Sequence, residues 1–440
     1  MRLPLWVTVR FLYLLGAIAV LLAASPGLRV LEPIGLSCAA ALALATILDL
    51  AIGPRASSLT LDREPTGHFA LRVPGKIGYA LSNRSSRDVR AGVVEAPTRT
   101  IAYDEDEALV DAPRGSRALF ERPVTPIARG ADLFGAMYLW YENRLGLIRR
   151  RAVVEAPAPF RVYPDLSAVE RYGALHVRNR LIEAGLRKMR LRGAGTEFES
   201  LREWHSGDEF RAIDWKATAR RGKLMVAQHE VERSQNILLM LDCGRLMTPR
   251  LGDQRKLDYA VTAALSVASI AGLANDKVGL VAFAREIIAA SAPRSTRASV
   301  ATLSDMMYDL EPRFEESDYA KAFAYVRSHL HKRSMIVFFT DVIDPVAQSA
   351  VLAELGTLSR RHLVVCVFMN DAAVASALTV PVTNAAQAFE AAVALGLDYE
   401  RRAAAANLNQ RGVITIDVPA RKLTTSLIDE YLRVKARGLV

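Results

Sequence analysis

Asp242 and Asp341 are the residues of this chain best placed to do chemistry. Each follows directly on an apolar run, ILLMLD and SMIVFFTD. In sheets built of alternating strands and helices, ligands bind beyond the carboxyl ends of the strands. Together with Asp344 they form a carboxylate set suited to metal-assisted hydrolysis. Other catalytic arrangements find little support. Cys243-Gly244-Arg245-Leu246, after the first of these runs, matches neither the dinucleotide fingerprint nor a P-loop. The seven histidines are scattered, and His205, His229, His329, His331 and His362 lack metal-ligand or triad context. His329 and His331 are close in sequence, but their spacing points them to different sides of a helix. No serine sits in a nucleophile elbow. Cys38, Cys243 and Cys366 show no Cys-x-x-Cys spacing, so neither a zinc site nor a disulfide framework is expected, and a reducing compartment fits.

The elements that must position the two aspartates begin at Ile237. Strands are expected at ILLMLD, KVGLVAFA, SMIVFFTD, HLVVCVF and GVITIDV. Helices are expected over 256–273, 297–310, 319–330, 385–402 and 423–436. Apolar strands alternating with helices imply a parallel sheet covered on both faces, so residues 237–440 read as a Rossmann-like α/β domain.

Upstream lies an unusual polar stretch, Gly195 to Asn236. Arg202, Glu203, Gly207, Asp208, Arg211, Asp214, Lys216, Arg220 and Glu230 are interleaved with Trp204, Phe210, Ile213 and Trp215. This composition suits a network of charge-assisted hydrogen bonds around aromatic anchors. Such a network either fixes a non-repetitive segment or binds a partner, and the first reading is the simpler. Before it, Ser167 to Arg192 reads as a helix with a basic face (Arg178, Arg180, Arg187, Lys188, Arg190, Arg192), suited to anionic lipid, an acidic partner or solvent. Residues 165–236 thus form a connecting region. From 56 to 164, short alternating runs such as HFALRV, KIGYALSN and VRAGVVEA predict a small β-sandwich of immunoglobulin-like type with no chemistry of its own.

The first 53 residues predict a transmembrane helical hairpin. Two apolar runs, Leu3 to Ala24 and Ile34 to Ile52, flank a turn, each near the roughly 20 residues that span hydrocarbon. Arg2, Arg10, Arg55 and Arg63 flank the pair while the turn holds only Arg29, which places both ends in the cytoplasm. A cleaved signal peptide ending near Ala23-Ala24-Ser25 is the alternative. Hydrophobic residues at 51% and charged ones at 24% argue against a many-span transporter. The net charge of +10 favours anionic surfaces, with lipid headgroups nearest and nucleic acid as the rival.

The segments G-T-E-F-E-S-L-R-E-W (Gly195 to Trp204), G-D-E-F-R-A-I-D-W (Gly207 to Trp215), Ala219-Arg220, Glu230, Glu232-Arg233 and L-D-C-G-R-L-M (Leu241 to Met247) resemble the bacterial family known as domain of unknown function 58. The resemblance implies a von Willebrand factor A-like domain in a multi-domain, membrane-anchored protein. It also implies a partner, a MoxR-type AAA+ ATPase, in maturation or assembly of other proteins, with no family-wide catalysis. Many A-like domains bind Mg²⁺ through an Asp-x-Ser-x-Ser loop, a threonine and a later aspartate. Carried over by position these become Asp242, Gly244, Leu246, Ser317 and Asp341, so both loop hydroxyls are missing. A weak site at most is expected, with Asp242 and Asp341 otherwise capping loops or pairing with Arg245 or another basic group. The expectation is an adaptor without enzyme activity or cofactor. A metal-dependent hydrolase using Asp242 and Asp341 is the alternative, and a nucleic-acid-binding protein ranks behind it.

Overall fold

The computed structural model describes residues 5–27, 30–64, 68–142, 145–167, 197–205, 208, 210, 213–230, 234–295, 299–341 and 345–438. The chain divides into two units, 1–165 and 166–440, each taken by itself below. The expected basic helix, with Gly207, Arg211 and Asp344, lies outside the described residues.

In the first unit the leading apolar run is split. Residues Leu5–Val7 form a strand (β1) and only Val9–Ala23 is helical (α1), about 22 Å long at 1.5 Å per residue. The second helix (α2, Leu31–Ile52) has 22 residues and is long and apolar enough to cross a membrane by length and composition. Leu22 lies against Gly35, where a Cβ would collide with its side chain, so the helices approach closely at a small residue. Away from that contact Val9, Tyr13, Val20, Leu36, Leu44 and Ile47 are exposed.

Both helices meet the rest of the unit at one turn, residues 146–148. Thr8 donates its hydroxyl to the Gly146 carbonyl at 2.6 Å. The Asp49 carboxylate, near the end of α2, accepts the amides of Leu147 and Ile148 at 3.1 Å each. The Arg150 guanidinium donates to the carbonyls of Leu50 and Pro54, groups that a helix end leaves without internal partners. Asp49 is therefore a bracket between helix and sheet. Asp49→Ala should strand the buried Leu147 amide and cost about 1–3 kcal/mol, read as a lower melting temperature of the intact chain in detergent, with Asp49→Asn costing less.

The following strands are β2 (Leu59–Arg63), β3 (Phe69–Ala70), β4 (Gly75–Asn83), β5 (Val89–Glu95), β6 (Ile101–Tyr103), β7 (Ala108–Ala112), β8 (Arg117–Pro126), β9 (Gly130–Phe134), β10 (Met137–Glu142), β11 (Ile148–Val154) and β12 (Ala158–Tyr163). They form a sheet ordered β1-β11-β10-β5-β7, one ordered β2-β4-β8-β6 and a small one ordered β3-β12-β9. Inward residues of the two larger sheets, Ile77, Tyr79 and Leu81 from one and Ala91, Val93 and Leu139 from the other, share one apolar cluster. The acidic run Asp104 to Glu107, between β6 and β7, is tied to neighbouring strands. The Trp140 indole donates to Glu107 at 2.7 Å, and buried Arg122 donates to the carbonyls of Glu105 and Asp106.

The second unit opens with β13 (Glu197–Glu203) and β14 (Met225–Glu230), an antiparallel pair joined through a short helix (α3, Trp215–Arg221). The α/β part follows: β15 (Asn236–Asp242), the small hairpin β16 (Arg250–Leu251) and β17 (Gln254–Arg255), α4 (Lys256–Leu273), β18 (Lys277–Phe283), β19 (Ile287–Ser295), α5 (Ser299–Met307), α6 (Tyr319–His329), β20 (Met335–Phe339), α7 (Pro345–Ser359), β21 (Leu363–Asn370), α8 (Ala372–Ala377), α9 (Ala385–Gln410), β22 (Ile414–Pro419) and α10 (Leu423–Arg437).

Its sheet is ordered β19-β18-β15-β20-β21-β22. Along β15, Ile237, Leu239 and Leu241 enter a core with α4 and α10, while Leu238 and Met240 enter a second core with α6 and α7. Strands buried on both faces explain the unbroken apolar runs. The α4 helix is apolar enough to pass for a membrane span, but 67% of it is buried and it serves as this core's central helix. The sheet is not wholly parallel as expected, because β19 runs antiparallel to β18. It is an edge strand containing Pro293, which an edge tolerates. Gly279 opposite it leaves room for the irregularity in pairing, since a Cβ there would strike the backbone at Ser291 to Pro293.

Candidate functional site

In chain order the sheet reads third, second, first, fourth, fifth, sixth, so the winding reverses between β15 and β20. A crevice forms at such a switch point, outside the carboxyl ends of the two strands. Asp242 ends β15 and Asp341 follows β20 by two residues, so the fold brings both aspartates to that position.

The Asp242 side chain is fully buried and fully engaged. One oxygen accepts the Gly244 amide at 2.8 Å and the Ser317 hydroxyl at 2.5 Å. The other accepts the hydroxyls of Tyr319 and Thr340, each at 2.8 Å. Four donors on one carboxylate is about as many as its lone pairs take. Burial, and then the Asp242 charge, push the Tyr319 phenol well above its ordinary range, so it stays a donor.

Asp341 is also buried, and its partner is the ammonium of Lys256, the first residue of α4. Burial pushes the Asp341 carboxyl up against the downward pull of Lys256. The expected partner Arg245 turns outward and pairs with Glu316 at 2.5 Å, both groups half exposed. Lys256 was missed at the sequence level. A signal existed: a lysine at the first helical position faces the positive end of the helix dipole, an unfavourable place unless a carboxylate waits there.

The donor set therefore does not fit a resident Mg²⁺ of the A-like type. Gly244 and Leu246 bring no oxygen side chains, and the space a Cβ at Gly244 would take is filled by the Ser317 hydroxyl. The lone pairs of Asp242 are spent on this chain's own donors, and a lysine ammonium already neutralises Asp341. Hard divalent cations demand several free oxygen ligands. Among the described residues no group of three or more His, Cys, Asp or Glu is arranged to hold a metal.

The rim of the crevice is built from two crossed loops. The Arg313 amide donates to the Cys243 carbonyl at 2.7 Å and the Arg245 amide to the Glu315 carbonyl at 2.9 Å. Between them Phe314 projects into solvent, 90% exposed.

The polar stretch upstream separates into two sets of residues. Arg202 grips Asp208 through two bonds of 2.6 Å, and Asp208 also accepts the His205 amide at 2.9 Å. The guanidinium holds the Asp208 carboxyl far below the usual carboxylate range. Asp214 caps α3 by accepting the amides of Lys216 and Ala217 at 3.0 Å. These side chains are thus engaged within the chain. Trp215 and Arg220, by contrast, are exposed. Glu230 ends β14, and its side chain lies outside the described set.

Residues 200–406 match the family described as Protein of unknown function DUF58. A relative, the uncharacterized protein YeaD of Bacillus subtilis (strain 168), is 31% identical over 118 residues, which is 26% of this chain and 29% of that protein. The match thus spans less than a third of this relative's length. Among solved structures, the VWA domain of SpRpn10 aligns with 45% of this chain and 95% of its own, at 9% identity and a TM-score of 0.30. Over residues 200–406, just under half its length, this chain is therefore similar to the DUF58 family.

Proposed function

We propose that this protein is a membrane-anchored adaptor that works by binding other proteins, with a MoxR-type AAA+ ATPase as the partner class. The observation that supports an adaptor over a hydrolase is the self-filled switch point. A metal-assisted hydrolase needs carboxylates open to a metal or water, whereas Asp242 and Asp341 are buried and bonded to the chain's own donors. The A-like reading of residues 237–440 is supported by the strand order and by the place of both aspartates in it.

In this reading the hairpin spans the inner membrane twice with both ends in the cytoplasm. It is supported by α2's length and by the meeting of both helix ends at the 146–148 turn. The shorter α1 would be accommodated by local thinning of the bilayer. The nucleic-acid reading draws only on positive charge, which an anionic partner of any class would share.

The test is a photoreactive residue placed at 314 in the intact chain within its native membrane. We expect a discrete adduct containing an AAA+ ATPase. An adduct-free protein that instead turns over an ester or phosphoester, with loss of turnover in Asp242→Asn, would replace the adaptor by the hydrolase.

A further inference from the structure

The half of the family-matched stretch that its frame leaves outward has a chemistry of its own. On α3, Trp215 lies four residues from Ala219 and Lys216 four from Arg220, so the two pairs form adjacent ridges on one side of the helix. All are exposed, Trp215 at 66%, and Arg221 follows beside them. Phe210, 72% exposed, stands just before this helix, with its ring 5.8 Å from that of Trp204.

Lys216, Arg220 and Arg221 have no carboxylate partner among the described residues. Among the nearby acids whose side chains are described, Glu203 pairs with Lys223 at 2.8 Å, Asp208 with Arg202, and Asp214 caps the helix. The mounting is stiff. The Asp214 amide donates to the Met225 carbonyl at 2.9 Å and the Met225 amide to the Thr218 hydroxyl at 3.0 Å, while Gly222 closes the helix in the left-handed region at φ 65°. Large aromatic and arginine side chains held in place are the residue types that dominate binding energy at protein interfaces.

We propose that this face is a docking surface for an acidic segment of a partner protein. Trp215 and Phe210 supply apolar anchors, and Lys216, Arg220 and Arg221 meet carboxylates. The argument is charge complementarity: three cations with no carboxylate partner among the described residues, set around exposed aromatics, fit an acidic, aromatic-accepting partner. The inference rests on the adaptor reading and names the partner's chemistry.

The test uses the full chain in neutral detergent and a fluorescent amphipathic peptide of repeating Glu-Glu-Leu-Phe, followed by anisotropy. We expect binding that weakens with salt. We expect a loss of roughly tenfold or more in Arg220→Glu/Arg221→Glu and in Trp215→Ala, whose altered side chains are exposed. A peptide with Lys in place of Glu should bind the charge-reversed chain better than the wild type, which also shows that this variant is folded.

The proposal is overturned if the acidic peptide does not bind, or if it binds all variants alike. It is equally overturned if duplex DNA or phosphatidylglycerol nanodiscs bind more tightly than the peptide and are lost with the same substitutions. Recovery of the ATPase by wild type and Arg220→Glu/Arg221→Glu alike would sink this surface while leaving the adaptor reading intact.

Discussion

Lys256→Met should destabilise the α/β domain by about 3–5 kcal/mol, because it leaves the Asp341 carboxylate buried without its counter-charge. The partner substitution Asp341→Leu should cost a similar amount by stranding the ammonium. The two together should recover most of the loss, since a buried ion pair replaced by apolar groups of comparable size is often close to neutral. Both side chains are at least nine-tenths buried, so solvent does not rescue either one alone. Chemical denaturation of the three variants reads the cycle directly. A silent Lys256→Met would mean that the ammonium does not sit on Asp341.

The second large effect is at Asp242. Asp242→Ala removes the acceptor of one amide and three hydroxyls. Bonds to a charged group contribute about 1.5–3 kcal/mol each but do not add, so a loss of roughly 4 kcal/mol is expected. Asp242→Asn should cost far less, about 1–2 kcal/mol, because the hydroxyls can reverse and accept from the new amide, whereas the Gly244 amide still finds an oxygen. Equilibrium unfolding distinguishes the two substitutions. A catalytic or metal-holding aspartate would behave otherwise, with both variants stable and both inactive.

Much of this was legible in the amino-acid sequence, for identifiable reasons. The strands ending at Asp242 and Asp341 are buried on both faces, so their apolar runs are continuous and their ends are marked by the first charge. The 256–273 helix is read to the residue because its apolar periodicity starts at a charged pair and stops before Asn275. Strand β19 was missed because Ala289, Ala290, Ser291 and Pro293 have poor strand propensity and owe their conformation to β18. The 345–359 helix was missed because its small apolar residues lack a clear polar stripe.

The same division runs through the candidate site. Asp242 and Asp341 could be found because a topological rule locates them, whereas Lys256 is 85 residues from Asp341 in the chain and nothing local pairs them. In the hairpin, hydropathy alone extended the first span to Leu3. It could not foresee that Leu5 to Val7 would pair with β11, because strand formation there depends on an edge supplied more than a hundred residues later. Within the polar stretch, composition foretold a network but not which members face inward. That is set by the Asp214 cap and the Arg202–Asp208 pair.

In the proposed adaptor reading the chain's own donors fill the switch-point site and leave a divalent cation no free carboxylate there. Calorimetry of Mg²⁺ against the intact chain in detergent tests this most directly. No saturable heat is expected for the wild type. A micromolar site in the wild type that disappears in Asp242→Ala would contradict it.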